Sequence, residues 1–200
     1  MNLPNKLTIF RIILVPVMVA ISYLNINQTF LGINLQNILI VFIFAVASYT
    51  DHLDGKLARK NNQITTFGKF LDPLADKILV LSAMLILVEK GIIPSWIPII
   101  VVFREFVVSG YRLVAVEKNG KVISANIWGK IKTATQMFAI IFMFININNT
   151  NVFGACFKGN LTGIELIINI LGTTLMIISV IATVFSGINY IKDGKDLLKD

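Results

Sequence analysis

The stretch that decides the fold covers residues 51–76 and reads DHLDGKLARKNNQITTFGKFLDPLAD. Taken as helix, it places Asp51 and Asp54 three residues apart on one face. Asp72 and Asp76 lie four residues apart, which puts them on one face of a second helix. The ends of two successive helices can therefore bring four carboxylates together.

Apolar sequence lies on both sides of these acids, with residues 35–50 before them and residues 78–88 after them. Carboxylates held this close repel one another and take up protons unless a cation offsets their charge. Ligation by oxygen alone favours hard divalent ions such as Mg²⁺ or Mn²⁺, and two such ions commonly assist displacement at phosphorus. The sequence therefore predicts a site for two divalent cations at the rim of an apolar helix bundle.

The composition is that of an integral membrane protein. Hydrophobic residues make up 56% of the 200 residues and charged residues only 14%, which is too apolar for a soluble domain of this size. Segments near the length of a membrane-spanning helix cover residues 7–24, 35–55, 68–89, 93–117, 128–149 and 162–191. We therefore expect one all-α, polytopic membrane domain over residues 1–200, with six transmembrane helices and the site at their cytoplasmic end.

The distribution of the basic residues predicts the orientation in the membrane. If both termini share one side, only Lys90 and Lys158 fall on the other side. The positive-inside rule then places both termini and the acidic stretch on the cytoplasmic face of the cell membrane. The net charge of +7 is explained by this asymmetry and by anionic lipid headgroups, so no nucleic-acid partner is expected. Cys156 is the only cysteine, which excludes an intrachain disulfide.

The acidic stretch resembles the signature of the CDP-alcohol phosphatidyltransferase family, D-x2-D-G-x2-A-R-x8-G-x3-D-x3-D, and every specified position is filled. Other strings resemble the phosphatidylglycerophosphate synthase branch of that family. They are the lead from Asn2 to Thr8 with Arg11, residues 104–106, residues 109–112, and residues 129–133 with Gln136.

This resemblance implies transfer of a phosphatidyl group from CDP-diacylglycerol to an alcohol, with release of CMP, by a homodimer. It implies that two divalent ions are held by Asp51, Asp54, Asp72 and Asp76. Asp76 would also be the catalytic base that deprotonates the acceptor hydroxyl. The residues implied to bind CDP-diacylglycerol are Asn5, Thr8, Gly55, Ala58, Arg59, Thr65 and Gly68.

The choice of acceptor depends on basic residues outside the acidic stretch. Guanidinium and ammonium donors match phosphate oxygens, so the predicted acceptor-phosphate site comprises Arg104, Arg112, Lys130 and Lys132. The branch resemblance implies sn-glycerol 3-phosphate as the acceptor. Phosphatidylglycerol, serine and inositol phosphate are the alternatives within the family.

Several simpler interpretations stay open from the sequence alone. Asp72 and Pro73 fit a helix N-cap followed by proline at the first helical position. Gly55 and Ala58 fit close helix packing in a membrane. Arg104 and Glu105 fit a structural ion pair. A divalent-ion transporter is a rival of another class, although its acids are expected near the midplane of the bilayer rather than at one end.

Overall fold

The computed structural model of the protein describes residues 3–24, 26, 28–60, 66–117 and 127–193; for side chains it describes the same residues except 3–4, 52–60, 66–67, 69–70, 112–117 and 193. Within these ranges the chain forms six α-helices: α1 Leu3–Ser22, α2 Leu35–Lys60, α3 Thr66–Glu89, α4 Trp96–Glu117, α5 Ile127–Phe144 and α6 Gly163–Asp193. A short antiparallel hairpin, β1 Thr29–Phe30 and β2 Ile33–Asn34, joins α1 to α2. The predicted all-α class is confirmed.

The helices match the predicted segments to within about four residues, apart from the ends of the second and the fifth. α2 continues to Lys60, whereas the predicted segment ends at residue 55. α5 ends at Phe144, whereas the apolar pattern extends to residue 149. The Asn151 side chain donates hydrogen bonds to the carbonyl groups of Phe142 and Ile145, so these carbonyls are satisfied without further helix. Asn148 and Asn149 also have positive φ angles, which a helix cannot contain.

A single glutamine fixes the junction between the first two helices. The Asn34 side chain accepts a hydrogen bond of 2.8 Å from the backbone N–H of Gln36 and so caps the start of α2. The side-chain amide nitrogen of Gln36 donates hydrogen bonds to the backbone carbonyls of residues 21, 22 and 24, where α1 ends. Lys90 donates to the Gln36 side-chain oxygen at 2.5 Å, which ties the end of α3 to the same point.

Three connections meet at one end of the bundle, which we call the loop end: residues 23–34, 90–95 and 145–162. Ile33 forms an isolated antiparallel bridge with Ile147, and the backbone N–H of Phe153 donates to the carbonyl of Ile92 at 2.8 Å. Gly32 has a φ of 78°, and a Cβ there would come within 3.1 Å of the Ile147 side chain. Since α2 starts and α3 finishes at the loop end, the acidic stretch lies at the opposite end.

The bundle combines an apolar exterior with a core that is partly polar. Apolar side chains such as Phe44, Leu79 and Met143 are fully buried, but α6 also buries five polar side chains: Asn169, Thr173, Ser179, Thr183 and Ser186. Large apolar side chains point outward instead, among them Phe103 and Phe106, which are 70% and 74% exposed. An apolar exterior around a partly polar interior is typical of helices surrounded by lipid.

Two helical stretches among the described residues are long and apolar enough to cross a membrane, Asn5–Ser22 and Gly163–Lys192. A third apolar stretch, Leu35–Asp51, is shorter. The six-span arrangement stays a prediction.

Candidate active site

The first helix supplies a partner to an acid on each of the next two helices. The Arg11 guanidinium forms an ion pair of 2.8 Å with the Asp51 carboxylate at the polar end of α2. The Thr8 hydroxyl donates a hydrogen bond of 2.5 Å to the Asp72 carboxylate on α3. Thr8 and Arg11 are three residues apart and thus share a face of α1. Because α1 packs against both α2 and α3, this face draws the two acids together.

Asp72 lies inside a helix rather than at its start. α3 begins at Thr66, so the interpretation of Asp72 and Pro73 as an N-cap and first helical residue is wrong. Pro73 has no N–H to donate within the helix, which removes one backbone hydrogen bond from this part of α3. The carboxylate of Asp72 is therefore not used in capping.

Asp76 follows one turn after Asp72 on α3, with a partly buried side chain. Its carboxylate interacts electrostatically with the charges of Asp51, Arg11, Lys132 and Glu105. Asp76 is therefore near the ion pair of Arg11 and Asp51 and near charged residues of α4 and α5.

The chemistry of the donor set fits a divalent cation, although the side chains described do not form a complete ion site. Carboxylate oxygens from Asp51, Asp72 and Asp76 are the hard ligands that Mg²⁺ and Mn²⁺ prefer. Among the residues with described side chains, no group of three or more His, Cys, Asp or Glu is arranged to hold a metal ion. The buried guanidinium of Arg11 already offsets part of the acidic charge, as the repulsion between carboxylates requires.

A cavity of about 440 Å³ lies beside Asp76, between α3, α4 and α5. Its charged lining consists of Asp76, Lys77, Arg104, Glu105 and Lys132. Most of the remaining wall is apolar, with side chains such as Leu81, Val102 and Phe106. Such a cavity offers its charged groups to a polar ligand, and its apolar wall suits the chains of a lipid.

Glu105 is the centre of the ionic contacts in this cavity. Its carboxylate lies 2.6 Å from the Lys132 ammonium, 2.8 Å from the Arg104 guanidinium and 3.6 Å from the Lys77 ammonium. Lys77 also donates a hydrogen bond of 2.5 Å to the Ser109 hydroxyl on α4. One carboxylate thus holds together cations from α3, α4 and α5.

Arg104 lines the cavity, but its contacts point mainly to the packing of α4 against α6. One terminal nitrogen donates to Glu105 and the other donates to the Ser186 hydroxyl at 2.5 Å. The guanidinium carbon also lies 5.8 Å from the centre of the Tyr190 ring. These contacts support the structural interpretation of the Arg104–Glu105 pair and extend it to α6.

The other predicted site residues differ in burial, and the side chains of some lie outside the described residues. Asn5 and Gly68 are buried. Lys130 is exposed and is not among the residues that line the cavity. The helical backbone of α2 continues through residues 54–59, but several predicted side chains lie outside the described residues: Asp54, Ala58, Arg59, Thr65 and Arg112. Gly55 lies on that same stretch of α2.

Sequence reasoning missed three members of this region. Arg11 was not expected to pair with Asp51, and Lys77 and Ser109 were not expected in the cavity. The shared helical face of Thr8 and Arg11 is a signal that the first helix presents two polar groups in one direction. Ser109 belongs to the string 109–112 noted above, but Lys77 has no local signal, and the two residues belong to different helices that meet only through packing.

The chain belongs to the CDP-alcohol phosphatidyltransferase family, whose sequence model matches residues 1–186. The resemblance read from the acidic stretch is therefore confirmed.

The relatives of this chain include several bacterial proteins named CDP-diacylglycerol–glycerol-3-phosphate 3-phosphatidyltransferase. The protein of that name from Bacillus subtilis is 43% identical over 150 residues, which cover 72% of this chain and 77% of the relative. The one from Haemophilus influenzae is 36% identical over 204 residues, covering 100% of this chain and 96% of the relative. The one from Rickettsia bellii is 33% identical over 195 residues, covering 97% and 96%.

Proposed function

We propose that this protein is a phosphatidyltransferase that transfers the phosphatidyl group of CDP-diacylglycerol to sn-glycerol 3-phosphate. The products are phosphatidylglycerophosphate and CMP, so the enzyme acts in phospholipid biosynthesis. The family supports the donor and the type of reaction. The names of relatives that are 33–43% identical support the acceptor.

The observation that carries this proposal is the cavity that joins Asp76 to Lys132. A base and a cation on the wall of one cavity suit an acceptor with a hydroxyl group and a phosphate. Asp76 takes the proton of the free primary hydroxyl of glycerol 3-phosphate, and the hydroxyl oxygen attacks the phosphorus that bears the diacylglycerol. The new phosphorus–oxygen bond forms as the bond to the CMP oxygen breaks.

The residues proposed to hold two divalent ions are Asp51, Asp54, Asp72 and Asp76. When bound, Mg²⁺ or Mn²⁺ supplies positive charge that offsets the charge of the diphosphate and of the departing CMP. Thr8 and Arg11 orient the carboxylates of Asp72 and Asp51 from α1. The side chains on α1 therefore set the geometry of two of the four acids.

The remaining donor contacts follow the family motif. We propose that the cytidine diphosphate lies against the small residues Gly55, Ala58 and Gly68, with Arg59 and Thr65 as polar contacts. A residue without a large side chain lets a nucleotide approach the helix backbone closely. Asn5 and Thr8 complete this side of the site from α1.

The placement in the membrane is part of the same proposal. Six transmembrane helices in a homodimer, with both termini in the cytoplasm, put the acidic site at the cytoplasmic rim of the cell membrane. The apolar exterior of the bundle and its buried polar side chains support a position within a membrane. The acyl chains then stay in the bilayer while the polar acceptor arrives from the cytoplasm.

Cysteine labelling tests the orientation. In a Cys156→Ser background, single cysteines introduced at Asn160 and near residue 27 should react with an impermeant maleimide on intact cells. Cysteines at Asn62 and Lys195 should react only after the membrane is permeabilised. The reverse pattern would place the site on the other face and contradict the proposal.

The reaction itself is tested with purified protein in detergent, CDP-diacylglycerol and Mg²⁺ or Mn²⁺, with release of CMP as the readout. Glycerol 3-phosphate should support turnover, whereas serine, inositol phosphate and phosphatidylglycerol should not. Turnover with one of these alternatives but not with glycerol 3-phosphate would keep the family and reject the acceptor.

A further inference from the structure

We infer that Glu105 is a positioning residue for the acceptor: its carboxylate holds the ammonium groups of Lys132 and Lys77 at the polar end of the cavity, where the phosphate of the acceptor binds. This inference rests on the proposed function, because it assigns a role within the same site. From the sequence alone, Glu105 suggests only an ion-pair partner for Arg104.

The contacts distinguish Lys132 from Arg104. Arg104 uses both terminal nitrogens, on Glu105 and Ser186, and packs on Tyr190, so it faces α6. Lys132 has a single hydrogen bond among the described residues, to Glu105, whereas an ammonium group has three N–H donors. The other N–H donors of Lys132 are therefore available for phosphate oxygens.

Burial explains why the lysine needs this carboxylate. Lys132 is only 7% exposed, and the cavity around it has mainly apolar walls. A flexible lysine near two other cations and away from water is repelled by them, because the low dielectric strengthens the interaction between like charges. Glu105 offsets this repulsion and fixes the ammonium group 2.6 Å from its own oxygen. Without it, the lysine would turn away from the cavity or lose its proton.

Lys77 is placed by two groups on one helix. It lies 3.6 Å from Glu105 and donates to Ser109 at 2.5 Å, and both partners are on α4. Lys77 is also the direct neighbour of Asp76, the proposed base. If the phosphate of the acceptor binds between Lys77 and Lys132, the hydroxyl group of the acceptor lies beside Asp76. Glu105 thus favours acceptors with a phosphate over acceptors with uncharged alcohols.

The test compares wild type, Glu105→Gln, Glu105→Asp and the control Glu165→Gln in the CMP-release assay. Glu165 also bonds to polar neighbours, Asn148 and Thr150, but it lies at the loop end. The KM values for glycerol 3-phosphate and for CDP-diacylglycerol are measured separately. Inorganic phosphate serves as a competitive probe of the acceptor site, and thermal unfolding of each variant is recorded.

We expect Glu105→Gln to raise the KM for glycerol 3-phosphate and the inhibition constant of phosphate in parallel, by roughly tenfold or more. The KM for CDP-diacylglycerol should change less than about twofold, since the donor is proposed to bind at the four acids and along α2 rather than at these ammonium groups. Glu105→Asp retains the charge with a shorter side chain and should give intermediate values. It also provides the test if Glu105→Gln does not fold. Glu165→Gln should match the wild type.

Three results would overturn the inference. They are an unchanged KM for glycerol 3-phosphate, an equal rise in both KM values, and a loss of thermal stability with an unchanged ratio of the two KM values. The wild type provides the separate check on the proposed function. If wild-type protein does not use glycerol 3-phosphate, the proposed function fails. If it does and the Glu105 variants keep the wild-type ratio, only the role of Glu105 fails.

Discussion

Replacing Thr8 with valine tests whether α1 orients the acidic site. Valine has nearly the shape of threonine but cannot donate the 2.5 Å hydrogen bond to Asp72. Thr8 is 1% exposed, so water does not readily replace the lost donor. A hydrogen bond to a charged group contributes about 1.5–3 kcal/mol. Each 1.36 kcal/mol corresponds to a factor of about ten in rate.

If Asp72 must be held in place for turnover, Thr8→Val should lower kcat by roughly ten- to a hundredfold. The concentration of Mn²⁺ needed for half-maximal activity should rise as well, because a carboxylate that is free to rotate is a poorer ligand. The assay is CMP release with both substrates saturating, followed by a titration of Mn²⁺.

The matched control is Thr183→Val. Thr183 is also fully buried, but its hydroxyl donates to the carbonyl of Ser179 in its own helix, away from the acids. Its kcat and its dependence on Mn²⁺ should stay close to those of the wild type. If Thr8→Val retains wild-type kcat while folded, or if Thr183→Val shows the same loss, the role assigned to α1 is refuted.

Three further sets of variants probe the metal site, the acceptor site and the loop end. Replacement of any of the four acids by Asn should lower turnover at least about a hundredfold. Chelators should abolish activity until Mg²⁺ or Mn²⁺ is restored, and full turnover without divalent ions would contradict the metal site. Lys132→Gln should raise the KM for glycerol 3-phosphate by roughly thirtyfold relative to that for CDP-diacylglycerol, as loss of one charge-assisted bond of about 2 kcal/mol predicts, whereas Lys158→Gln should not. Gln36→Leu should lower the free energy of unfolding by about 1–3 kcal/mol, because it leaves the last carbonyls of α1 without a donor. Gln28→Leu, at an exposed position, is the control, and the melting temperatures are compared. An equal loss of melting temperature in Gln28→Leu and Gln36→Leu would argue against the role of Gln36 at this junction.

The sequence alone was sufficient for the helices and for the family. Long apolar segments separated by short polar connections predict helices because each segment must satisfy its own backbone hydrogen bonds. The spacing from Asp51 to Asp76 identified the family because each position in it needs a particular residue type. The end of α5 was placed too late because Asn151, which bonds back to the carbonyl groups of Phe142 and Ile145, reaches them from beyond the helix.

The partners of the acids could not be read from the sequence. Arg11 and Asp51 are forty residues apart in the chain, and Thr8 and Asp72 are 64 apart, so only the packing of α1 against α2 and α3 pairs them. The interpretation of Asp72 as a cap failed for a related reason. A helix start signal is local, whereas the point where α3 begins depends on the whole bundle.

The same limit applies to the acceptor site. The sequence by itself predicted that basic residues are concentrated on one side of a membrane and that two successive helices supply four acids, because periodicity and charge are properties of the chain itself. Only the tertiary structure decided which cations converge on Glu105 and that Arg104 turns toward α6. The physical reason is that the direction of a charged side chain depends on the counter-charge packed beside it, and here that charge comes from another helix.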